Sequence, residues 1–313
     1  DLYIGDPDRH RDQWTWAKTG PASADPWVPI PEDRDQALIR YDGFLLMLAR
    51  SRYPEVLNFG DRFANMIGAT RAGSELDRKL LSGLGWPAWD SIAIKVQGIL
   101  TDPVVDRAVA RMPREYLPLD SARLALTLKH RRDKLRTLAR SFYSLTAGEA
   151  DVRTTDASER VVIERMPDGS LELRVFEPGM TAPYLQRRYY SSETKSLRIY
   201  LHGGNDSVRV IGEGPRSIAL RIVGGEGDDV LVDSVGGTRF YDQSGTNEAI
   251  GRTTTVNGRP YTEPVDPPGP LVGPRDFGRD RFILPWFLYN TDYGVFVGGG
   301  AARIGYGFRK LPY

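Results

Sequence analysis

Hydrophobic residues between Asp120 and Gly148 fall mostly on one stripe, at spacings of three and four with one step of seven. Six of them form the series: Leu124, Leu128, Leu135, Leu138, Phe142 and Leu145. This spacing puts apolar side chains on one stripe of a helix, and a glycine commonly ends one. The pattern therefore predicts a long helix over about 120–147. Asp102-Pro103 and Trp86-Pro87 resemble helix starts, so residues 74–148 are predicted to be mainly helical, after a loop-rich stretch over 1–73.

From Asp151 the hydrophobic period changes to two, which is typical of strands. The segments Val161–Arg165 and Leu171–Val175 flank Pro167-Asp168-Gly169, a composition that predicts a β-hairpin. More short strands are expected up to about residue 250. Residues 251–280 are rich in glycine, proline and threonine and are predicted to be a linker.

The β-rich section also repeats itself. Leu197-Arg198-Ile199 leads to Gly203-Gly204, and Leu220-Arg221-Ile222 leads to Gly224-Gly225, so that the glycine pairs follow each other after about twenty residues. A weaker third copy covers Phe240–Gly245. Strand, turn and strand at this period predict a small β-solenoid or a stacked meander.

The last thirty or so residues alternate between apolar and other positions. Phe296, Ala302, Ile304, Tyr306 and Phe308 share one parity, whereas Arg303 and Arg309 have the other. A transmembrane β-strand requires such alternation over about ten residues, with one side facing lipid and the other a polar interior. Phe282 to Tyr289 and the turn at Asn290–Asp292 complete a hairpin. The pattern alone favours a membrane hairpin and a soluble hairpin equally.

Composition narrows the class of protein. The 313 residues carry a formal net charge of +1, so the overall positive field that favours nucleic-acid binding is absent. The basic run Lys129–Lys134 is interpreted as a solvated helix face. The chain contains no cysteine, which excludes disulfides and thiolate sites. It lacks an initiator methionine and a signal peptide pattern, and we expect it to be an internal piece of a longer protein.

One glycine-rich turn has the composition of a calcium site. Gly224–Asp229 matches the first six positions of the Gly-Gly-x-Gly-x-Asp repeat, in which Asp carboxylates supply hard oxygen ligands. Asp228 and Asp229 are therefore candidate Ca²⁺ ligands. The alternative is that glycine and aspartate only form turns here, and the single clean copy favours this alternative.

The segment Gly5–Trp14, with Asp8-Arg9-His10 at its centre, resembles the catalytic loop of atypical kinases of the HipA and CotH type. The resemblance implies that Asp8 is the catalytic base and that Gln13 occupies the metal-binding Asn position. Asp33 or Asp35 would then bind Mg²⁺ on the nucleotide phosphates. Gln13 departs from the pattern, and no upstream nucleotide-binding lobe is visible. The alternative is a buried cluster of salt bridges.

The C-terminal segments Leu288–Gly300 and Tyr306–Tyr313 resemble the first barrel strands of BamA/TamA-like bacterial surface antigens. Leu128–Leu135 and Leu220–Val232 are similar to the soluble region that some members carry before the barrel. The resemblance implies a Gram-negative outer-membrane protein whose soluble part is periplasmic. POTRA-type repeats are not recognisable, which is a departure from the assembly factors.

Together these features predict an α+β multidomain chain: a helix-rich, kinase C-lobe-like region over 1–150, a β-rich repeat-like domain over 151–250, a linker over 251–280 and the start of a β-barrel over 281–313. The expected function is that of a structural or interaction module on the periplasmic side of an outer-membrane barrel, in contact with membrane lipid and an envelope protein partner and not with nucleic acid. We expect no catalysis by this segment alone. The alternative function is a magnesium-dependent, kinase-like phosphotransferase attached to the barrel.

Overall fold

The computed structural model describes residues 1–20, 27–50, 53–63, 65–262, 276 and 279–309. They form a mixed α/β protein in which a helical N-terminal region precedes parallel and mixed β-sheets. The chain divides into two compact units. The first contains residues 1–76, 90–139 and 265–313, and the second contains residues 77–89 and 140–264.

The described N-terminal residues form seven α-helices. They are α1 (Phe44–Ala49), α2 (Met66–Thr70), α3 (Ser74–Leu81), α4 (Trp86–Ile99), α5 (Asp102–Val109), α6 (Leu117–Asp133) and α7 (Leu135–Ala147). The predicted helix over 120–147 is thus two helices, because the backbone of Lys134 leaves helical geometry (φ −100°, ψ 7°). Leu124 and Leu128 of α6 are buried with Phe59 and Val105 in the core of the first unit, as the helical stripe predicted.

The predicted solvated face over 129–134 is only partly correct. Lys129 and Arg132 form ion pairs with Asp106 and Asp102, which are exposed. Arg131, however, is 4% exposed. Its guanidinium donates hydrogen bonds to the carbonyls of Leu2 (2.6 Å), Tyr3 (2.7 Å) and Gly60 (2.8 Å). Desolvation lowers the pKa of Arg131 to about 10, so the side chain stays charged at neutral pH.

The strands are β1 (Trp14–Lys18), β2 (Trp27–Pro31), β3 (Glu149–Arg153), β4 (Arg160–Arg165), β5 (Leu171–Phe176), β6 (Leu185–Tyr189), β7 (Ser196–His202), β8 (Ser207–Gly212), β9 (Ala219–Gly225), β10 (Val230–Asp233), β11 (Arg239–Tyr241), β12 (Glu248–Ile250), β13 (Thr255–Asn257), β14 (Arg279–Asn290) and β15 (Gly294–Gly305). The hairpin predicted around Asp168 is confirmed, since β4 and β5 pair in antiparallel orientation. β13 lies inside the predicted linker, and residues 263–275 of that linker lie outside the described residues.

Two larger sheets make up the β-rich section. One has the strand order β12-β10-β8-β4-β5-β6 and the other β13-β11-β9-β7-β3. From β7 onward successive strands alternate between the two sheets, and neighbours within each sheet are parallel. Apolar side chains from both sheets form one buried cluster that includes Ile163, Leu173, Ile199 and Leu220. Because every second residue of a strand faces this cluster, the period of two in the sequence follows directly.

The strand register corrects the predicted repeat. Leu197 pairs with Leu220 and His202 pairs with Gly225, so the glycine pairs at 203 and 224 are not equivalent positions. Gly204 instead stacks against the turn of the next copy, because a Cβ on Gly227 would collide with its carbonyl oxygen. The apolar strand residues that fill the core therefore set the register, and the glycines fit the turns that result.

The C-terminal hairpin is formed by β14 and β15, which pair in antiparallel register from Arg279↔Gly305 to Asn290↔Gly294. The strand that was predicted to continue through Arg309 ends at Gly305, so Tyr306, Phe308 and Arg309 lie beyond it. Tyr313 lies outside the described residues. Among the helices that the structure describes, none has the length and apolar character to cross a membrane.

Candidate functional site

Asp8 is the centre of a polar cluster in the first unit. Its carboxylate oxygen Oδ2 accepts hydrogen bonds from the side-chain amides of Gln13 (3.1 Å) and Gln36 (3.2 Å). The other oxygen lies 3.3 Å from His10 Nε2. A short 3-10 helix, Arg11–Gln13, turns the chain back so that Gln13 reaches Asp8. The sequence motif therefore does assemble around its central aspartate.

A second carboxylate, Asp6, supports this loop and was not singled out in the sequence. It is 1% exposed, and its Oδ1 accepts the backbone N–H of Asp8 at 3.0 Å. Arg34 lies 3.5 Å from Asp6 Oδ2 and 3.0 Å from Asp1 Oδ1, and its guanidinium covers the ring of Trp14. Desolvation raises the pKa of Asp6. The predicted alternative, a cluster of salt bridges, thus describes part of this loop.

Of the candidate magnesium ligands, Gln13 contacts Asp8, whereas Asp33 and Asp35 face solvent. Gln13 directs its amide N–H, which is a hydrogen-bond donor, toward Asp8. Asp33 and Asp35 are exposed and close a local turn in which the Asp35 N–H donates to Asp33 Oδ1 at 3.1 Å. Their neighbour Gln36 donates a hydrogen bond from its side-chain amide to Asp8. The segment therefore reaches the Asp8 loop through an amide, with both aspartates on its solvent side.

The second unit contains a ladder of polar side chains, formed by Glu159, Asp206, Asp229 and Asn247. Asp206 accepts the backbone N–H of Glu159 (2.7 Å), Asp229 accepts that of Asp206 (2.9 Å), and Asn247 accepts that of Asp229 (2.8 Å). Each bond joins one turn between the sheets to the next. The ladder forms because parallel strands bring equivalent turn positions into line.

Three ladder and turn carboxylates are deeply buried. Asp206 is 2% exposed, Asp229 1% and Asp242 5%. Within the described residues, the Oδ2 atom of each has no hydrogen-bond partner, and Glu159 Oε2 is in the same situation. Desolvation, together with neighbouring carboxylates, raises the pKa of Asp206 and of Asp229 to about 7. Desolvation also raises the pKa of Asp242.

Asp229 and Asp242 face each other across Gly224. A Cβ on Gly224 would collide with the Oδ2 atoms of both, so both oxygens pack closely against this glycine. β9 and β11 are neighbours in one sheet, with Val223 opposite Tyr241. The next residues are Gly224, still within β9, and Asp242, which directly follows β11. The register therefore brings the Asp242 carboxylate to Gly224, close to Asp229.

The two aspartates predicted as calcium ligands have different surroundings. Asp229 is buried, whereas Asp228 is exposed and its Oδ1 accepts the backbone N–H of Thr246 at 2.6 Å. Sequence reasoning missed two residues that lie close to Asp229. Asp206 donates its backbone N–H to Asp229, and Asp242 places its Oδ2 atom beside that of Asp229 at Gly224. One signal was available: Asn205-Asp206 precedes Asp228-Asp229 by 23 residues, the interval that the strand register also shows.

Within the described part of the chain, no group of three or more His, Cys, Asp or Glu side chains is arranged to hold a metal ion. Searches of protein-family profiles, of curated proteins and of solved structures found no match to this chain. The function is therefore inferred from the physical features of the two units alone.

Proposed function

We propose that this chain is a structural and interaction module attached to a β-barrel of the Gram-negative outer membrane. In this proposal β14 and β15 belong to the barrel wall, and the remaining described residues form a folded region on the periplasmic side. The observation that carries the proposal is the exposed apolar surface of the β14–β15 hairpin.

The hairpin exposes large apolar side chains along most of its length. Ile283 is 75% exposed, Phe287 66%, Leu288 61% and Val297 78%. An isolated two-stranded ribbon is only marginally stable in water, and exposed apolar patches of this kind mark contacts with lipid or protein. The hairpin therefore requires a covering medium, which hydrocarbon and neighbouring barrel strands would supply.

The register distributes these side chains over two faces. Directly opposed residues of an antiparallel pair share a face, and the pairs Trp286↔Gly298 and Leu288↔Phe296 place one apolar surface together. The other face carries Arg281 opposite Arg303 near the open end. That face also carries Ile283 and Phe287, so its polar character is confined to one end.

The dimensions also support the proposal. Each strand has twelve residues, which corresponds to roughly 40 Å at about 3.3 Å per residue. A strand that is tilted by about 40° in a barrel crosses an apolar band of about 25 Å. The exposed aromatic residues Tyr289 and Tyr293 lie at the turn, the position at which barrel proteins concentrate aromatic side chains.

For the folded region we propose a short two-sheet solenoid built from the alternating strands β7 to β13. It is supported by the parallel pairing within both sheets and by the side-chain ladder, whose steps span 23 and 18 residues. A solenoid of this kind is a rigid element, and its outer edge strands offer a surface for an envelope protein partner.

Flotation of the full chain with phosphatidylethanolamine and phosphatidylglycerol vesicles tests the membrane proposal. We expect the wild-type chain to float, and the double variant Trp286→Arg/Leu288→Arg to lose binding by at least about tenfold. Trp286 lies near the middle of its strand, and a lipid-facing arginine costs about 2–4 kcal/mol at the bilayer midplane. The matched double variant Arg281→Gln/Arg303→Gln should float like the wild type. A wild-type chain that stays in the aqueous fraction, or equal flotation of both variants, would contradict the proposal.

A second function, a magnesium-dependent phosphotransferase, is favoured by the hydrogen bond from Gln36 to Asp8 over 28 residues. This bond brings the Asp33–Ala37 segment to the Asp8 loop, as the kinase resemblance requires. In this function Asp8 accepts the proton of the substrate hydroxyl, and Gln13 with Asp33 or Asp35 binds Mg²⁺.

Calorimetry of a longer chain that includes the upstream nucleotide-binding lobe, with Mg²⁺ and a non-hydrolysable ATP analogue, tests the second function. Binding should weaken at least about tenfold in Asp33→Asn/Asp35→Asn and stay unchanged in Asp106→Asn, an acidic control that pairs with Lys129. Absence of binding to the wild type, or equal affinity in the double variant, would contradict these roles.

A further inference from the structure

We propose that the Asp229–Asp242 pair binds a divalent cation of the calcium class beside Gly224, where the two carboxylates meet. This site lies in the second unit and is independent of the membrane hairpin and of the Asp8 loop. Both carboxylates are buried, the Oδ2 atom of each lacks a donor among the described residues, and the two Oδ2 atoms meet beside Gly224.

The burial of these groups requires compensation. Asp229 and Asp242 are 1% and 5% exposed, and the Oδ2 atom of each has no hydrogen-bond partner among the described residues. A buried carboxylate without a donor or a counter-charge is strongly unfavourable. In ordinary protein interiors such groups are paired with a cationic side chain or coordinate a metal.

The described residues provide no cationic side chain for this purpose. The ion pairs of the second unit involve other acids, such as Asp151 with Arg78 and Glu149 with Arg198, and none includes Asp229 or Asp242. The neighbouring ladder adds more negative charge, because Asp206 Oδ2 and Glu159 Oε2 are also buried without a donor. The turn is therefore a buried, acidic region that lacks its own counter-ion.

The geometry directs both free oxygens to one place. A Cβ at position 224 would collide with Oδ2 of Asp242 and with Oδ2 of Asp229, so both oxygens pack against the Gly224 backbone and lie close to each other. The remaining oxygens are already used: Asp229 Oδ1 accepts the Asp206 N–H at 2.9 Å, and Asp242 Oδ1 accepts the Ser244 N–H at 3.2 Å. These bonds orient both Oδ2 atoms toward Gly224.

Two carboxylates and no sulfur or imidazole ligand favour a hard cation that prefers oxygen. Ca²⁺ accepts six to eight oxygen ligands in flexible geometry, including backbone carbonyls and water. Because no third acidic side chain among the described residues completes a set, carbonyls and water would fill the rest of the shell. Mg²⁺, which demands a strict octahedron, fits such a turn less well.

Thermal unfolding of the full chain at pH 8 tests the proposal. With EDTA the wild-type melting temperature is expected to be lowest, and with added Ca²⁺ it should rise with the logarithm of the Ca²⁺ concentration. Calorimetry should give one Ca²⁺ per chain, with an affinity at least tenfold higher than for Mg²⁺.

Two variants identify the ligands. Asp242→Asn removes one carboxylate and adds an amide that can donate to Asp229, so this variant should melt higher than the wild type in EDTA and lose the response to Ca²⁺. Asp228→Asn changes the exposed neighbour and should respond to Ca²⁺ like the wild type.

The alternative is that the pair only shares a proton. In that case the wild-type melting temperature would not change with Ca²⁺ at pH 8 but would rise on acidification in EDTA, and this outcome would overturn the proposal. An equal response to Ca²⁺ in the wild type and in Asp242→Asn would overturn the assignment to this pair.

Discussion

Asp206 donates its backbone N–H to the carboxylate of Asp229 at 2.9 Å, and this bond joins two turns that are 23 residues apart in the chain. Both residues are almost completely buried. The same arrangement continues to Glu159 on one side and to Asn247 on the other. A side-chain ladder thus supplements the backbone hydrogen bonds where the chain passes between the two sheets.

The ladder predicts opposite effects for two substitutions of Asp206. Asp206→Ala removes the acceptor of the buried Glu159 N–H and should lower the free energy of unfolding by about 1–3 kcal/mol. Asp206→Asn keeps an acceptor oxygen and removes the buried charge, so stability at pH 8 should equal or exceed that of the wild type. Urea unfolding measures both, and equal losses in the two variants would contradict the role of the ladder.

The turns predict which glycines cannot be replaced. Gly227 has φ +118°, and a Cβ there would meet the carbonyl oxygen of Gly204. Gly43 has almost the same φ, +117°, with nothing within 4 Å of an added Cβ. Gly43→Ala should therefore cost only the penalty of this unfavourable backbone conformation, about 1–3 kcal/mol. Gly227→Ala should cost at least about 3 kcal/mol, because the stacked turns must separate. Chemical denaturation of both variants isolates the stacking contact, and similar losses would disprove it.

Arg131 predicts a large loss of stability in the first unit. Arg131→Met removes charged hydrogen bonds to the carbonyls of Leu2, Tyr3 and Gly60, each of which contributes about 1.5–3 kcal/mol. We expect a loss of at least about 3 kcal/mol, and Arg131→Lys should restore only part of it. Arg136→Met, which disrupts an exposed pair with Asp90, serves as the control and should unfold close to the wild-type midpoint. Equal midpoints for Arg131→Met and Arg136→Met would refute the role of Arg131.

His202 predicts a pH dependence. Desolvation, assisted by nearby Arg153, lowers its pKa below the ordinary value of 6.5, so the folded protein favours the neutral ring. Its contribution to stability is complete above pH 6.5 and is lost as the pH falls through the lower, folded pKa. An NMR titration of the ring proton, assigned with His202→Asn, should give a midpoint below 6.5. A midpoint at or above that value would contradict the burial effect.

Local pattern predicted the elements whose burial follows from nearby residues. The period of two around Asp168 predicted a hairpin that β4 and β5 form, and the apolar stripe predicted that Leu124 and Leu128 are core residues. The local pattern did not predict the end of α6 at Lys134, where the apolar stripe continues but the backbone leaves helical geometry. Composition also failed at Arg131, because a charged run gives no indication of which member finds buried carbonyls as partners.

The candidate sites were predicted less completely. The motif around Asp8 identified a loop that does assemble, but it did not identify Gln36 or Asp6 as contacts. The Gly-Gly repeat suggested Asp228 and Asp229 as a pair, whereas Asp228 is exposed, Asp229 is buried, and the β9–β11 register brings Asp242 to Asp229. Sequence spacing alone could not show which aspartate the strand pairing would bring to Asp229.

The sequence by itself determined that a helical region precedes a β-rich one, and it determined the apolar positions of the β-rich core, because each depends on a residue and its near neighbours. Only the tertiary structure decided which carboxylates share a turn, which arginine is buried and which apolar hairpin stays exposed. These outcomes depend on pairing between strands and segments that are far apart in the chain, and the free energy of desolvating a charge is fixed only when that pairing is complete.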